Sequence, residues 1–440
     1  MNKRDRLELA KWTVDRALHY GADQAAVSIS NQRGVEVEYR DKKLEKLKES
    51  TQNSLSLKIY TEQKYSYHST NDMRKESLDK FINEAIISTR YLTKDEFRSL
   101  PDPKYYPKNL NFQLDIFDKK FHTIETTERV KLTAEIEKAT LAQSDKIISA
   151  TASYNDSYFY LVRVHSNGFS GFTEGTSFGA GAEVTVKDPN GGRPADWYWA
   201  VTRYYDELPD AEILGENAVQ RALAKVGQKK IDSGNYTMVV ENRAAARLIS
   251  LLKSPLTARA LQQKSSYLEG KKDKQIASEE LTLIDDPFIK RGLGSRLFDI
   301  EGLAAKHRVI IDKGILKEYL IDDYYGKKLG LEPNAGSTSN IIFAYGNSSM
   351  NDMIQTVKKG ILINSFIGGN SNSTTGDFSF GIVGQFIEDG KIVKPVNEMN
   401  ISGNSKEFWF KLVQIGNDPY LFSSTRVPTL LFENVQFSGI

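Results

Sequence analysis

Residues 370–404 read NSNSTTGDFSFGIVGQFIEDGKIVKPVNEMNISGN, and this stretch decides how the rest of the chain can fold. It begins with small polar residues, which cannot fill a core but allow another backbone to approach closely. Residues 377–387 then alternate as in a strand, Asp389-Gly390 favours a tight turn, and residues 392–396 form the returning strand. The stretch therefore predicts a β-hairpin with a glycine-rich approach.

The composition indicates a globular protein that is too long for one ordinary core and has either two domains or one large mixed domain. The chain has 440 residues, of which 40% are hydrophobic and 26% are charged. Its 59 basic side chains nearly balance the 57 acidic ones, so we do not expect direct binding of nucleic acid. There is no cysteine, which excludes disulfides, iron–sulfur clusters, thiol nucleophiles and thiolate zinc sites.

The sequence also predicts where the protein works. Its first residues are charged and lack the apolar region of a signal peptide. No later stretch approaches the roughly 20 apolar residues that a membrane helix needs. We therefore expect a cytoplasmic protein that does not associate with membranes.

The periodicity of apolar residues predicts an α+β fold in three regions. Residues 1–107 combine two amphipathic helices with three or four antiparallel strands, and a proline-rich segment ends this N-terminal domain. Residues 108–230 form a central β-meander with flanking helices, and residues 231–440 form a β-rich, mixed C-terminal domain. No repeat of fixed period is present, which argues against a solenoid or a propeller.

Two local features of this scheme are specific enough to be checked. The meander is predicted to contain strands at residues 147–153 and 158–165, with Asn155-Asp156 as the turn between them. The C-terminal region is predicted to begin with a strand that runs directly into a helix at residues 243–252, with Asn242 as its N-cap. A metalloenzyme would place its ligands on the first turns of such a helix.

Candidate chemical groups are few. The histidines are far apart in sequence, so the chain has no local histidine motif for zinc. Asp299 and Glu301 are two residues apart, and on a strand both would lie on one face, where crowding raises one pKa and suits acid–base chemistry or a divalent ion. The alternative is two exposed charges in a turn beside Gly302. At the strand-to-helix junction, Arg243 and Arg247 would repel a divalent cation.

Several segments, taken in order, resemble one known family. They are residues 286–302 (DPFIKRGLGSRLFDIEG), 314–324 (GILKEYLIDDY), 375–381 (TGDFSFG) with Gly384 and Gly390, and 395–404. In order and spacing they resemble the TldD/PmbA family, also described as modulators of DNA gyrase, and specifically its PmbA (TldE) branch. The N-terminal half resembles that family in pattern more than in motif.

The resemblance implies a two-part α+β fold and an intracellular peptidase system. In that family a TldD-type subunit carries a His-Glu-x-x-x-His helix and a C-terminal cysteine for zinc, and it partners a PmbA-type subunit that lacks them. The helix aligns here at Asn242, Arg243 and Arg247, which have neither the imidazoles nor the base. The resemblance therefore implies a non-catalytic subunit without a cofactor of its own, with zinc in the TldD-type partner.

The same resemblance suggests partners and a contact surface. The chain is expected to form a hetero-oligomer with a TldD-type subunit, or a homodimer, and to act on unfolded peptides. Gly376, Asp377, Ser379 and Gly381 are the candidate residues for contact with peptide or with the second subunit.

Two alternatives from other functional classes remain open from the sequence. One is a stand-alone hydrolase that uses Asp299 and Glu301 with His307. The other is a binding protein without catalysis that captures extended peptides by adding them to a sheet edge, for which glycine-rich edges are suited.

Overall fold

The N-terminal half is a two-layer α+β unit in which four helices cover one face of a six-stranded antiparallel sheet. The structure, a computed structural model, describes residues 2–440. The sheet order is β3-β2-β1-β4-β5-β6. Its strands are β1 (Gln24–Arg40), β2 (Lys43–Thr61), β3 (Lys64–Thr70), β4 (Ile147–His165), β5 (Ser170–Val186) and β6 (Ala195–Thr202). The helices are α1 (Lys3–His19), α2 (Lys75–Thr89), α3 (Thr126–Leu141) and α4 (Ala211–Leu223).

Alternation along the strands explains why all four helices lie on the same face. In β1, Val27 and Ile29 pack with α1 and α2, while Val35 and Val37 pack with α3 and α4. These four residues have the same parity and therefore point to one side of the sheet. The predicted N-terminal helix and antiparallel sheet are confirmed. The sheet takes strands from both sides of residue 107, and the proposed boundary there stays a prediction.

The predicted turn at Asn155-Asp156 is wrong. Both residues lie inside the continuous strand β4, paired with β1 and with β5. Asp156 faces the helices, where the Arg129 Nε on α3 donates to its Oδ2 at 2.6 Å and the Tyr154 hydroxyl donates at 2.9 Å. A buried ion pair therefore overrides the turn preference of the Asn-Asp sequence.

The C-terminal half is built around a closed barrel and a small sheet. The larger sheet has the order β14-β13-β12-β7-β16-β15, and it closes because β14 also pairs with β16. Its strands are β7 (Gly234–Val240), β12 (Lys359–Ser371), β13 (Asp377–Glu388), β14 (Lys391–Asn404), β15 (Leu412–Ile415) and β16 (Leu430–Ser438). The small antiparallel sheet contains β8 (Leu283–Asp285), β9 (Arg308–Asp312), β10 (Ile315–Leu316) and β11 (Ile341–Phe343).

The helices of this half are short apart from the first. They are α5 (Asn242–Lys253), α6 (Ala258–Gln262), α7 (Asp323–Leu329), α8 (Met350–Thr356) and α9 (Ser405–Phe408). The predicted hairpin is present as β13 and β14 with Asp389 and Gly390 between them, both at positive φ. No helix among residues 2–440 is long and apolar enough to cross a membrane.

Strand β7 runs directly into α5, as the sequence predicts, but the cap differs. Glu241 is the N-cap residue, without a side-chain cap bond, and Asn242 is the first residue of the helix. The Asn242 side-chain amide instead donates to the Asp418 backbone oxygen at 2.7 Å. Leu248, Ile249 and the other buried residues of α5 join the core that includes the barrel strands, which fixes the helix against the sheet.

Candidate functional site

The first turns of α5 line a cleft of about 720 Å³ where the C-terminal barrel meets the N-terminal sheet. Strand β6 and helix α4 contribute one side of the cleft, and α5 and β12 contribute the other. The lining residues are Ala195, Asp196, Trp197, Arg221, Lys225, Arg243, Ala244, Arg247 and residues 364–369. The cleft therefore combines groups from parts of the chain that are far apart in sequence.

Two of the four cationic side chains of the cleft are neutralised. Arg221 Nη1 donates to Glu241 Oε1 at 2.5 Å, and Lys225 Nζ lies 3.1 Å from Asp196 Oδ2. Arg221 is also held by the Asn364 backbone oxygen at 3.2 Å. Burial lowers the pKa of Arg221, but Glu241 and Asp196 outweigh this effect and the pKa is raised. These two cations are therefore committed to internal partners.

The other two cations, Arg243 and Arg247, have no such partners. No Asp or Glu oxygen among residues 2–440 lies within ion-pair distance of either guanidinium. Arg243 stacks on the Trp197 ring, 3.6 Å from its centroid, and donates to the Trp197 backbone oxygen at 2.7 Å. Arg247 is exposed and lies 4.9 Å from the centre of the Phe380 ring.

Burial lowers the pKa of Arg243, and the nearby charge of Arg221 lowers it further. Both effects disfavour the cationic form, although a guanidinium keeps its charge at neutral pH. The cleft therefore holds two positive charges in excess beside an exposed indole, since half of the Trp197 surface (50%) is accessible.

The residues of α5 do not fit a zinc ion. Asn242 uses its amide on Asp418, while Arg243 and Arg247 carry donors and positive charge in place of lone pairs. Among residues 2–440, no group of three or more His, Cys, Asp or Glu side chains is placed to hold a metal. The chemistry of these three residues suits an anion and opposes a cation.

The glycine-rich candidate segment lies beside the cleft, on the strand that pairs with β12. Gly381 pairs with Ile367 of β12, a cleft residue, and a Cβ at Gly381 would meet the Ile367 carbonyl oxygen at 2.7 Å. Ser379 is exposed, and its backbone oxygen would lie 2.2 Å from a Cβ on Gly369, another cleft residue. Glycine at these positions therefore permits the close packing of β12 on β13.

Gly376 and Asp377 have a structural role at the beginning of β13. Gly376 has φ +92°, and a side chain there would meet Asn404. The carboxylate of Asp377 accepts from the Thr375 hydroxyl at 2.6 Å and from Asn404 Nδ2 at 2.8 Å. These two hydrogen bonds lower the pKa of Asp377. Asp377 is exposed, so its loop also remains available for a contact.

Asp299 and Glu301 are not on a strand face. They lie in a turn between the isolated bridge partners Phe298 and Ala304, and Asp299 is buried although the turn alternative assumed exposed charges. Asp299 Oδ1 accepts from the backbone N–H groups of Glu301 and Leu303 at 2.8 and 3.0 Å. The carboxylate therefore holds the turn.

Glu301 reaches the first turn of α7. Its Oε2 accepts from Asp323 N at 2.9 Å. Burial raises the pKa of Glu301 to about 7, the Asp323 N–H opposes that rise, and the Asp299 charge adds to it. His307 lines a different cleft, and within residues 2–440 it makes no hydrogen bond to either carboxylate.

Sequence reasoning located α5 but missed the other side of the cleft. Asp196 and Trp197 come from β6, Arg221 comes from the last turn of α4, and Lys225 lies in the turn that follows this helix. The spacing of four between Arg221 and Lys225, which would place both on one face of a helix, was the only local signal. Their approach to α5 depends on how the two halves of the chain pack, which no spacing encodes.

Comparisons with known proteins agree over most of the chain. Residues 25–88, 119–226 and 233–439 match, in turn, domain 1, the central domain and the C-terminal domain of the PmbA/TldA metallopeptidases. Metalloprotease PmbA from Escherichia coli O157:H7 is 27% identical over 424 residues, which are 95% of this chain and 93% of that protein. The metalloprotease PmbA homolog of Buchnera aphidicola is 27% identical over 416 residues, 94% of this chain and 92% of that protein.

Solved structures lead to the same family. A Bacteroides thetaiotaomicron protein described as a proposed modulator of DNA gyrase is 40% identical, with a TM-score of 0.97 and 100% of both chains covered. TldE from Thermococcus kodakarensis is 20% identical, with a TM-score of 0.88 over 98% of this chain and 100% of that chain, and therefore shares the fold. The chain belongs to the PmbA/TldD metallopeptidase family, in its PmbA (TldE) branch.

Proposed function

We propose that this chain is the non-catalytic subunit of a TldD–TldE-type zinc peptidase that matures and degrades unstructured peptides. The observation that carries the proposal is the chemistry of α5. Where the catalytic branch is expected to present His-Glu-x-x-x-His, this helix presents Asn242, Arg243 and Arg247, and the two arginines direct positive charge into the cleft. In this proposal the partner supplies zinc and catalysis.

The division of labour has a physical basis. A zinc peptidase needs neutral imidazole ligands and a carboxylate or equivalent base beside the metal-bound water. Guanidinium groups supply neither, and their charge raises the energy of a nearby Zn²⁺ ion. The retained cleft and barrel would then serve to receive peptide and to bind the catalytic subunit. Any effect on DNA gyrase would be indirect, through the peptides that the complex processes.

The test is a reconstitution with the TldD-type zinc peptidase of the same cell. We expect the two chains to co-elute on size exclusion, and the mixture to cleave an unstructured peptide faster than the partner alone. The purified chain alone is expected to contain no stoichiometric zinc and to cleave nothing. Stoichiometric zinc with cleavage by the chain alone would contradict the proposal, as would failure both to co-elute and to change the partner's rate.

A second candidate function is peptide binding without a catalytic partner, and the edge of β12 favours it. β12 pairs with β7 only over residues 360–363, whereas its pairing with β13 continues to Ser371. Beyond Ile363 one edge of β12 therefore has no strand neighbour, and an extended peptide could add there through backbone hydrogen bonds. Peptide affinity that is equal with and without the TldD-type subunit would favour this function over the first.

A further inference from the structure

We infer that the α5 cleft is a binding site for the terminal α-carboxylate of a peptide, held by the guanidinium groups of Arg243 and Arg247. This inference rests on the proposed function in taking a peptide as the ligand, and it names the group of that peptide that the chain recognises.

The first support is the charge balance of the cleft. Its four cations are Arg221, Lys225, Arg243 and Arg247. Arg221 is bound by Glu241, which lies just outside the lining, and Lys225 is bound by Asp196, the one carboxylate of the lining. The excess positive charge therefore lies on the two arginines of α5. One further carboxylate would reduce their mutual repulsion and replace the water that the cleft removes from Arg243.

The second support is that the partly buried guanidinium is already fixed in place. Arg243 is half-buried, stacked on the Trp197 ring at 3.6 Å and held by the Trp197 backbone oxygen at 2.7 Å. That hydrogen bond uses Nη1, and no other hydrogen bond from the Arg243 side chain is formed within residues 2–440. A planar guanidinium with free donors matches the two oxygens of a carboxylate, and a fixed one loses little entropy on binding.

The third support is the position of the arginines relative to the open strand edge. Residues 364–369 of β12 line the same cleft as Arg243 and Arg247. Ile367 is 48% exposed there and Trp197 is 50% exposed, which provides apolar surface for a terminal side chain. A peptide that adds to this edge antiparallel to β12 would bring its carboxylate to the residue 364 end of the edge, beside the start of α5, where the helix dipole also favours an anion.

An acidic side chain or inorganic phosphate could satisfy the same charge, but the cleft favours a chain terminus. A terminus offers a carboxylate and an adjacent backbone together, which corresponds to paired arginines beside an unpaired strand edge. Phosphate would use the charge and leave the strand edge and the apolar surface unused.

The test compares one peptide in two forms with the purified full-length chain. An unstructured peptide with an apolar last residue is titrated as the free acid and as the C-terminal amide, by calorimetry. We expect the free acid to bind at least tenfold more tightly than the amide. In Arg243→Gln and in Arg247→Gln the two forms should bind equally, whereas Arg4→Gln, an exposed arginine on α1, should keep the preference. Equal binding of acid and amide by the unchanged chain overturns the inference.

Two further measurements are needed. One distinguishes a site for a peptide terminus from a site for a simple anion, and the other distinguishes a variant that has lost the contact from a variant that has unfolded. Inorganic phosphate is added as a competitor, and displacement of the peptide by phosphate without any preference for the acid form would show a phosphate site and overturn the inference. Arg243→Lys keeps the positive charge but lacks the planar guanidinium, so it should retain only part of the preference for the free acid. Its melting temperature should equal that of the unchanged chain. If Arg243→Gln fails to fold, its loss of the acid preference says nothing about the site. Arg247→Gln then decides, because the Arg247 side chain is exposed and its replacement leaves the core unchanged.

The outcomes also separate this inference from the proposed function. An acid preference without any effect on a TldD-type partner supports the carboxylate site and contradicts the subunit role. Faster cleavage by the partner without a preference for the free acid supports the subunit role and contradicts the carboxylate site.

Discussion

Replacing Glu301 by Gln should change the pH dependence of stability. Glu301 lies in the turn that ends at Gly302, and its Oε2 accepts from Asp323 N at 2.9 Å. Burial raises its pKa from 4.5 to about 7, and the carboxylate of Asp299 contributes. A glutamine keeps an oxygen that can accept the same hydrogen bond but carries no charge, so the variant isolates the effect of ionisation.

The sign follows from which state binds the proton more tightly. The folded chain holds the Glu301 proton up to about pH 7, whereas the unfolded chain releases it near 4.5. The folded state therefore loses stability as pH rises from 4.5 to 7, and the loss is complete above pH 7. A rise from 4.5 to about 7 corresponds to about 3 kcal/mol. Glu301→Gln does not show this loss of stability, because glutamine does not ionise.

The assay is urea unfolding of both proteins at a series of pH values between 4.5 and 8. We expect the unfolding free energy of the variant, relative to the unchanged chain, to increase by about 3 kcal/mol over this range. Asp377→Asn is the control, and its stability relative to the unchanged chain should stay flat between pH 4.5 and 8. Hydrogen bonds from Thr375 and Asn404 lower the pKa of Asp377, so the contribution of that carboxylate is lost only at pH values below this range. A relative stability of Glu301→Gln that is flat with pH, or that falls, would refute the reasoning.

Two further substitutions test packing within each half, one in the N-terminal half and one in the C-terminal barrel. Arg129→Met leaves the buried Asp156 carboxylate without its ion partner, whose Nε lies at 2.6 Å, and should lower the free energy of unfolding in urea by about 3–5 kcal/mol. The double variant Arg129→Met with Asp156→Asn should recover much of that loss. If Arg129→Met alone is as stable as the unchanged chain, the ion pair does not stabilise the fold. Gly384→Ala places a Cβ 2.0 Å from the Leu362 backbone oxygen, so the barrel strands must separate, at a cost of about 1–3 kcal/mol. Gly403→Ala, whose Cβ would meet only an aromatic ring at 3.3 Å, is the matched control and should melt at a higher temperature than Gly384→Ala.

Local features of the fold could be predicted from the sequence because their determinants are adjacent. The hairpin of β13 and β14 has its turn at Asp389-Gly390, and the β7–α5 junction joins a run of β-formers to a run of alanines. Closure of the barrel could not be predicted in this way. It requires the parallel pairing of Ile361 with Met238 and the pairing of Ile401 with Phe437, and neither contact has a local signature.

The failure at Asn155-Asp156 has the same origin. The dipeptide favours a turn in isolation, but Arg129 approaches from a helix that lies 27 residues earlier in the chain and stabilises the carboxylate within the strand. The strand-to-helix junction and the family resemblance drew attention to Arg243 and Arg247. Trp197 and the carboxylates that balance part of the charge reach the cleft only through tertiary packing, which the sequence pattern does not contain.

The unpaired positive charge of Arg243 and Arg247 in the α5 cleft lowers the stability of the folded chain, and a purely structural role for these residues does not explain it. An apolar residue in place of Arg243 would pack on Trp197 without losing water from a charged group, and buried ions are often more costly than apolar residues of similar size. Functional sites are where proteins retain such costs. A bound carboxylate would neutralise one guanidinium and stabilise the folded chain by an amount that grows with ligand concentration. The cleft is therefore better explained as an anion-binding site than as the remnant of a metal site.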